Sequence, residues 1–144
     1  MQIRLMTLED VPRVLALWRA TDGIGLSDAD TPDGVARFVM RNPETSWVAE
    51  ANGQLVGATL AGHDGRRGFL HHLAVQAEFR RRGLGRALVE HALAGLGRAG
   101  IRKCHVLVFR SNRGGREFWQ EMGFHLRDDI DVHSLAIDVR DSAD

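Results

Sequence analysis

The run Arg80-Arg81-Arg82-Gly83-Leu84-Gly85-Arg86-Ala87 combines residue types that together can hold phosphate. Glycines allow close backbone approach to an anion, a helix start presents amide N–H groups without intrahelical partners, and four arginines add positive charge. The ligand implied is one that carries a pyrophosphate. Just upstream stand His71 and His72, side chains that can take up a proton near neutral pH.

These groups need elements to position them. Phe69-Leu70-His71-His72-Leu73-Ala74-Val75 lies between Gly68 and the polar Gln76-Ala77-Glu78 and reads as a short buried strand. After it the period changes: Leu84, Ala87, Leu88, His91, Ala92 and Leu96 recur at helical spacing, with Gly100 as the stop. Strand, glycine turn and helix are therefore contiguous, the context that a phosphate-cradling loop requires. Two other phosphate loops do not fit. The dinucleotide fingerprint needs a third glycine where Leu88 stands, and the nucleoside-triphosphate loop needs Lys-Ser/Thr after its last glycine, where this chain has Arg86-Ala87.

What the segment resembles is the Arg/Gln-x-x-Gly-x-Gly/Ala signature of the GNAT superfamily of acyl-CoA-dependent N-acetyltransferases, here Arg80-x-x-Gly83-x-Gly85. A second block is similar to the same superfamily. Val106-Leu107-Val108-Phe109 is a strand-prone run, followed by Arg110-Ser111-Asn112, by Phe118-Trp119 on a short helix, and by Gly123-Phe124 at the start of another strand. The resemblance covers Phe69 to Phe124 and implies a mixed α/β (α+β) fold. In that fold a mostly antiparallel sheet of six to seven strands, flanked by about four helices, splays between its fourth and fifth strands to admit pantetheine.

The resemblance also implies roles. The CoA pyrophosphate would sit on amides from Arg81 through Ala87 (Arg81, Arg82, Gly83, Leu84, Gly85, Arg86 and Ala87), with the side chains of Arg80 and its neighbours near the phosphates. Main-chain groups of Leu73, Ala74 and Val75 would bind pantetheine as an added strand, and Asn112 would make a further CoA contact. The implied activity is transfer of an acetyl group from acetyl-CoA to a primary amine on a small molecule or a protein N-terminus. The alternative is a regulatory module that binds acyl-CoA without turnover.

An alkyl ammonium with a pKa of about 10 must lose a proton before it can attack, so a base is needed. His71 or His72 is the candidate; alternation along a strand predicts that they point to opposite faces and that only one reaches the cleft. Packing within the sheet is the competing role for each, Glu78 reads as a surface residue of the loop, and His105 is a weaker candidate base. Where many members of the superfamily carry a tyrosine to protonate the departing thiolate, this chain has Trp119 and contains no tyrosine. Indole N–H is not a usable acid, so Trp119 is expected to pack, and solvent to protonate the thiolate.

The remaining composition sets outer limits. The 144 residues are read as a single domain spanning 1–144, with an apolar fraction of 44% that supports a proper core. The 19 basic and 19 acidic residues cancel, which gives no general attraction to nucleic acid. The end of the chain is acidic, with Asp128, Asp129, Asp131, Asp138, Asp141 and Asp144, and reads as solvated surface. The single cysteine, Cys104, forms no internal disulfide, and no apolar run approaches the roughly 20 residues that span a bilayer. The expectation is a cytoplasmic protein without a metal site, since His63, His71 and His72 match no ligand spacing, and a homodimer is compatible with it.

Upstream, Gln2 to Met6 reads as a strand, Thr7 as a helix cap, and Val11, Val14, Leu15 and Trp18 as one helical face. Thr31-Pro32 opens a second helix that Asn42-Pro43 ends. Asn52-Gly53 joins two antiparallel strands, and the chain is expected to finish in a terminal hairpin.

Overall fold

The computed structural model describes residues 1–139; Asp141 and Asp144 of the acidic end lie outside the described residues. The strands are β1 (Gln2–Leu5), β2 (Trp47–Ala51), β3 (Gln54–His63), β4 (Gly68–Val75) and β5 (Cys104–Val106); the helices are α1 (Val11–Arg19), α2 (Pro32–Arg41), α3 (Leu84–Arg98) and α4 (Arg113–Glu121). The strands form one sheet in the order β1-β2-β3-β4-β5, antiparallel up to β4, with β5 parallel to β4.

Local chemistry explains the elements. Asn52 and Gly53 both adopt positive φ, 53° and 77°, the left-handed pair that lets a two-residue turn follow the twist of β2 and β3. Thr31 Oγ1 accepts from the Gly34 amide at 3.0 Å and caps α2, whose first residue is Pro32. At the end of α3, Gly100 turns left-handed with φ 85° and the Ile101 amide returns to the Leu96 carbonyl.

Each face of the sheet is covered by its own helices. Val11, Val14, Leu15 and Trp18 of α1 and Val35 of α2 pack with Val48, Ala58, Leu60 and Ala74 on one face. On the other, Leu84, Leu88, Val89 and Ala92 of α3 meet Ala49, Val56, Ala61 and Leu70, with Phe118 and Trp119 of α4 at the margin. Near β1, the buried Asp10 carboxylate accepts from Arg4 through both oxygens at 2.8 Å, from the Thr7 amide at 2.8 Å and from Arg13 at 2.9 Å. Burial alone would push the Asp10 carboxyl up; the hydrogen bonds from Arg4 and Thr7 outweigh it and hold the group well below the ordinary carboxylate range.

Two sequence expectations change. The sheet has five strands among the described residues, not six to seven, because no terminal hairpin forms: residues 125–139 follow α4 without a ladder. The fifth strand also ends at Val106 and does not run on to Phe109, since β4 offers it a partner only through Leu70.

Candidate active site

Pairing between β4 and β5 spans three residues, Gly68 to Leu70 against Cys104 to Val106. Beyond Leu70 the strands part. His71, His72, Leu73, Ala74 and Val75 therefore have β3 on one side and no strand on the other, which opens a cleft where the splay was expected. An unpaired strand edge inside a cleft is a row of backbone donors and acceptors ready for an extended ligand.

The glycine loop closes one end of that cleft. Gly83 is the residue before α3, in the left-handed region at φ 76°, and no side chain caps the helix. The Ala87 amide is the first of the helix to reach back, to the Gly83 carbonyl, so the amides of Leu84, Gly85 and Arg86 are left to meet an anion. Arg81 is also left-handed, at φ 63°, unusual for a residue with a Cβ, and a strained turn of this kind clusters at sites where a ligand is held. A Cβ on Gly85 would lie 3.6 Å from the Phe118 ring and 3.8 Å from Leu73 Cδ2, between an α4 residue and a β4 residue.

The arginines divide by what they touch. Arg80 turns back, its Nε donating to the Val75 carbonyl at 3.0 Å, and so ties the loop to the end of the strand. Arg82 stacks over the Phe79 ring at 5.2 Å, and Arg86 sits 3.9 Å from Glu90 on the exposed side of α3. Asn112 caps α4: its Oδ1 accepts from the Gly115 amide at 2.9 Å. It also stands against Gly23, where a Cβ would come within 2.9 Å of Nδ2, which presses the α1–α2 loop onto the start of α4.

The two histidines overturn the alternation argument. Leu60 of β3 faces His72 but Ala61 faces Leu70, so His71 is an extra residue in β4. This bulge puts both rings on the face covered by α1 and α2. His71 packs edge-on to Phe38 of α2 and stacks on Phe69, while His72 meets the Trp18 ring of α1 at 4.7 Å. Among the described residues only His72 of the two has an acidic partner, its Nε2 lying 3.0 Å from Oδ1 of Asp30 at the end of the α1–α2 loop. A carboxylate is an acceptor, which makes Nε2 the donor and leaves Nδ1 with the ring's lone pair. His71 keeps one edge in solvent, yet the phenyl rings take water from the rest of it; that desolvation, and then the charge of His72, lower its pKa.

Asp30 could be found in the sequence only as one of several loop acids. Its contact is 42 residues distant along the chain, and no local pattern signals it. Trp119 packs between Phe118 and Phe124, with ring centroids 5.0 and 5.1 Å away, and His105 tilts against Phe69. Burial pushes the Cys104 thiol up to about 11, which keeps it unreactive. Glu78 is exposed and, with Thr21, Gln76 and Arg80, lines an open groove of about 730 Å³ beside the end of β4. No helix among the described residues is long and apolar enough to cross a membrane, and no group of three or more His, Cys, Asp or Glu among them is placed to hold a metal ion.

Comparison with known proteins bears on the family and the fold. The profile of the acetyltransferase (GNAT) family matches residues 11–124. An acetyltransferase of Pectobacterium atrosepticum is 29% identical over 141 residues, covering 98% of this chain and 99% of its own length. An uncharacterized N-acetyltransferase of Yersinia pestis is 29% identical over 130 residues, 90% of this chain and 92% of its own. Among solved structures, the PaiA N-acetyltransferase of Thermoplasma acidophilum in complex with coenzyme A superposes with a TM-score of 0.75 at 20% identity, over 90% of this chain and 92% of that one. The aminoglycoside N-acetyltransferase AAC(6')-Iy with a bisubstrate analogue gives 0.74 at 20% identity, over 94% and 98%. The splayed β4 edge, the uncapped α3 start and the match over most of the chain lead to one conclusion: this protein belongs to the GNAT family of acetyltransferases.

Proposed function

We propose that the protein moves an acetyl group from acetyl-CoA to a primary amine, on a small molecule or a peptide N-terminus, with His72 as the base. The observation that carries this reading is the junction of an unpaired β4 edge with the uncapped start of α3 in one cleft. Pantetheine would extend along Leu73, Ala74 and Val75, and the pyrophosphate would rest on the amides of the Arg81–Ala87 loop, with Asn112 as a further CoA contact.

The chemistry follows from that placement. His72 Nδ1 takes a proton from the acceptor ammonium, directly or through a water, while Asp30 holds the ring at Nε2. The free amine attacks the thioester carbonyl and a backbone amide of the β4 edge stabilises the oxyanion; the attacking nitrogen then gives its extra proton to water, and collapse breaks the C–S bond to leave the neutral amide and CoA thiolate. Solvent then protonates the thiolate, since a thiol with a pKa of about 8.5 leaves readily and Trp119 is engaged in packing.

That same Trp119, standing where an acid is common in the family, supports a second reading in which the cleft binds acyl-CoA without turnover. Free-thiol release from acetyl-CoA across an amine panel separates the two. Thiol release that requires an amine establishes the transferase; tight acetyl-CoA binding with no release under any amine establishes the module.

A further inference from the structure

Beside His72, on the same face of the sheet, four rings run in unbroken contact. Phe38 of α2 meets His71 edge-on with centroids 5.3 Å apart, His71 stacks on Phe69 at 5.7 Å with 13° between the planes, and Phe69 reaches His105 of β5 at 5.5 Å. These are the spacings of attractive ring pairs. The sheet is shaped to seat them. Gly62 of β3 pairs with Phe69, and a Cβ on it would lie 2.5 Å from Phe38 Cζ, so a glycine there lets the Phe38 ring lie against the strand. Phe69 and His105 face each other in the β4–β5 ladder, one pair short of the point where the strands part.

This row is not core. His71 is exposed and Phe38, Phe69 and His105 are half-buried, so water covers one side of it, whereas Trp18 next to His72 is fully enclosed. Desolvation, and then the charge of His72, lower the pKa of His71, which keeps its imidazole neutral at neutral pH. The neighbouring acid, Asp30, is already held by Nε2 of His72. A second ammonium on the acceptor therefore finds no free carboxylate in this contact, while an aromatic ring finds faces and edges to pack on. A partly exposed apolar surface beside a proton acceptor is where the body of a small ligand is oriented.

We propose that this row of rings selects the acceptor: a primary amine joined through a two-carbon link to an aromatic ring, the ring lying against His71 and Phe69 while the nitrogen reaches Nδ1 of His72. The inference rests on the reading of His72 as the base. The length of the link follows from the strand, since His71 directly precedes His72 and one residue of strand advances about 3.3 Å. A free arylalkylamine carries this chemistry. So does a peptide that begins with phenylalanine, whose Cα and Cβ form the same link between amine and ring.

Calorimetric titration of amines into the wild-type protein loaded with CoA tests the rings apart from turnover. Phenethylamine is expected to bind about 5-fold more tightly than 2-cyclohexylethylamine, which has the same link and a saturated ring of like size without a π-face. Equal, weaker or unmeasurable binding of phenethylamine overturns the proposal. His71→Ala removes the middle ring at an exposed position; the variant is expected to stay folded by circular dichroism and to bring the ratio close to one, and His71→Phe, which keeps a ring, to retain it. A ratio that stays near 5-fold in His71→Ala overturns the proposal. Titration of the tripeptide Phe-Ala-Ala separates the two sources: binding tighter than phenethylamine assigns the ring to a peptide N-terminus, and weaker binding assigns it to a free amine, both in keeping with the proposal. Turnover tests the base by itself. His72→Gln that binds phenethylamine like wild type but releases little CoA from acetyl-CoA supports both readings, whereas His72→Gln as fast as wild type removes the base and leaves the binding ratio to decide the rings.

Discussion

Nε2 of His72, on β4, lies 3.0 Å from Oδ1 of Asp30, the residue just before the cap of α2. Both side chains are largely buried, and the Trp18 ring closes over the histidine from α1. The contact thus joins the strand at the base of the cleft to the loop that borders it. His72→Gln is expected to lower kcat about 100-fold or more, the range for loss of a positioned base, with acetyl-CoA affinity little changed. Asp30→Asn should lower kcat less, and His71→Gln less still, because no acid orients that ring. Steady-state kinetics with calorimetric binding checks the order; equal losses at 71 and 72 would refute it.

Gly83 and Gly85 are expected to fail for different reasons. Gly83 has open space where a Cβ would sit but a left-handed φ, so Gly83→Val should cost about 1–2 kcal/mol of stability before any ligand is added. Gly85→Ala meets only ordinary contacts with Phe118 and Leu73, and alanine suits a helix better than glycine, so its melting temperature should hold or rise. Its new methyl nevertheless stands between the walls of the cleft, and acetyl-CoA affinity should fall about 10-fold. Calorimetric titration of the folded Gly85→Ala protein decides the point: unchanged affinity would remove pantetheine from that gap.

Acid stability should report Asp10. Its folded-state pKa is depressed, so the unfolded chain binds the proton more readily; the stabilisation is complete above about pH 4, the ordinary carboxylate value, and is lost as pH falls below it. Asp10→Asn leaves Arg4 without the partner that offered both oxygens and should destabilise by about 3 kcal/mol at neutral pH. Urea unfolding at several pH values should show the difference from wild type shrinking between pH 4 and pH 2. A constant difference would contradict the assignment.

Trp119→Phe should keep much of the turnover, because the indole contributes apolar area between Phe118 and Phe124. A fall of 100-fold in kcat in a protein that melts like wild type would show that the indole takes part in the reaction.

Much of this molecule is legible in local sequence, because the features concerned depend on residues close together in the chain. The Asn52-Gly53 turn, the Thr31 cap, the Gly100 stop and the uncapped, glycine-flanked start of α3 each follow from backbone preferences of a few neighbouring residues. The tertiary structure decided what depends on distant partners. Strand alternation put His71 and His72 on opposite faces, but pairing with β3 inserted His71 as an extra residue and turned both toward α1 and α2. Asp30 became the partner of His72 only because the α1–α2 loop packs back over the sheet. The terminal segment shows the same limit from the other side. Leu135, Ile137 and Val139 have the period of a strand, yet a strand exists only where another backbone meets its amides and carbonyls, and residues 125–139 find none among the described residues.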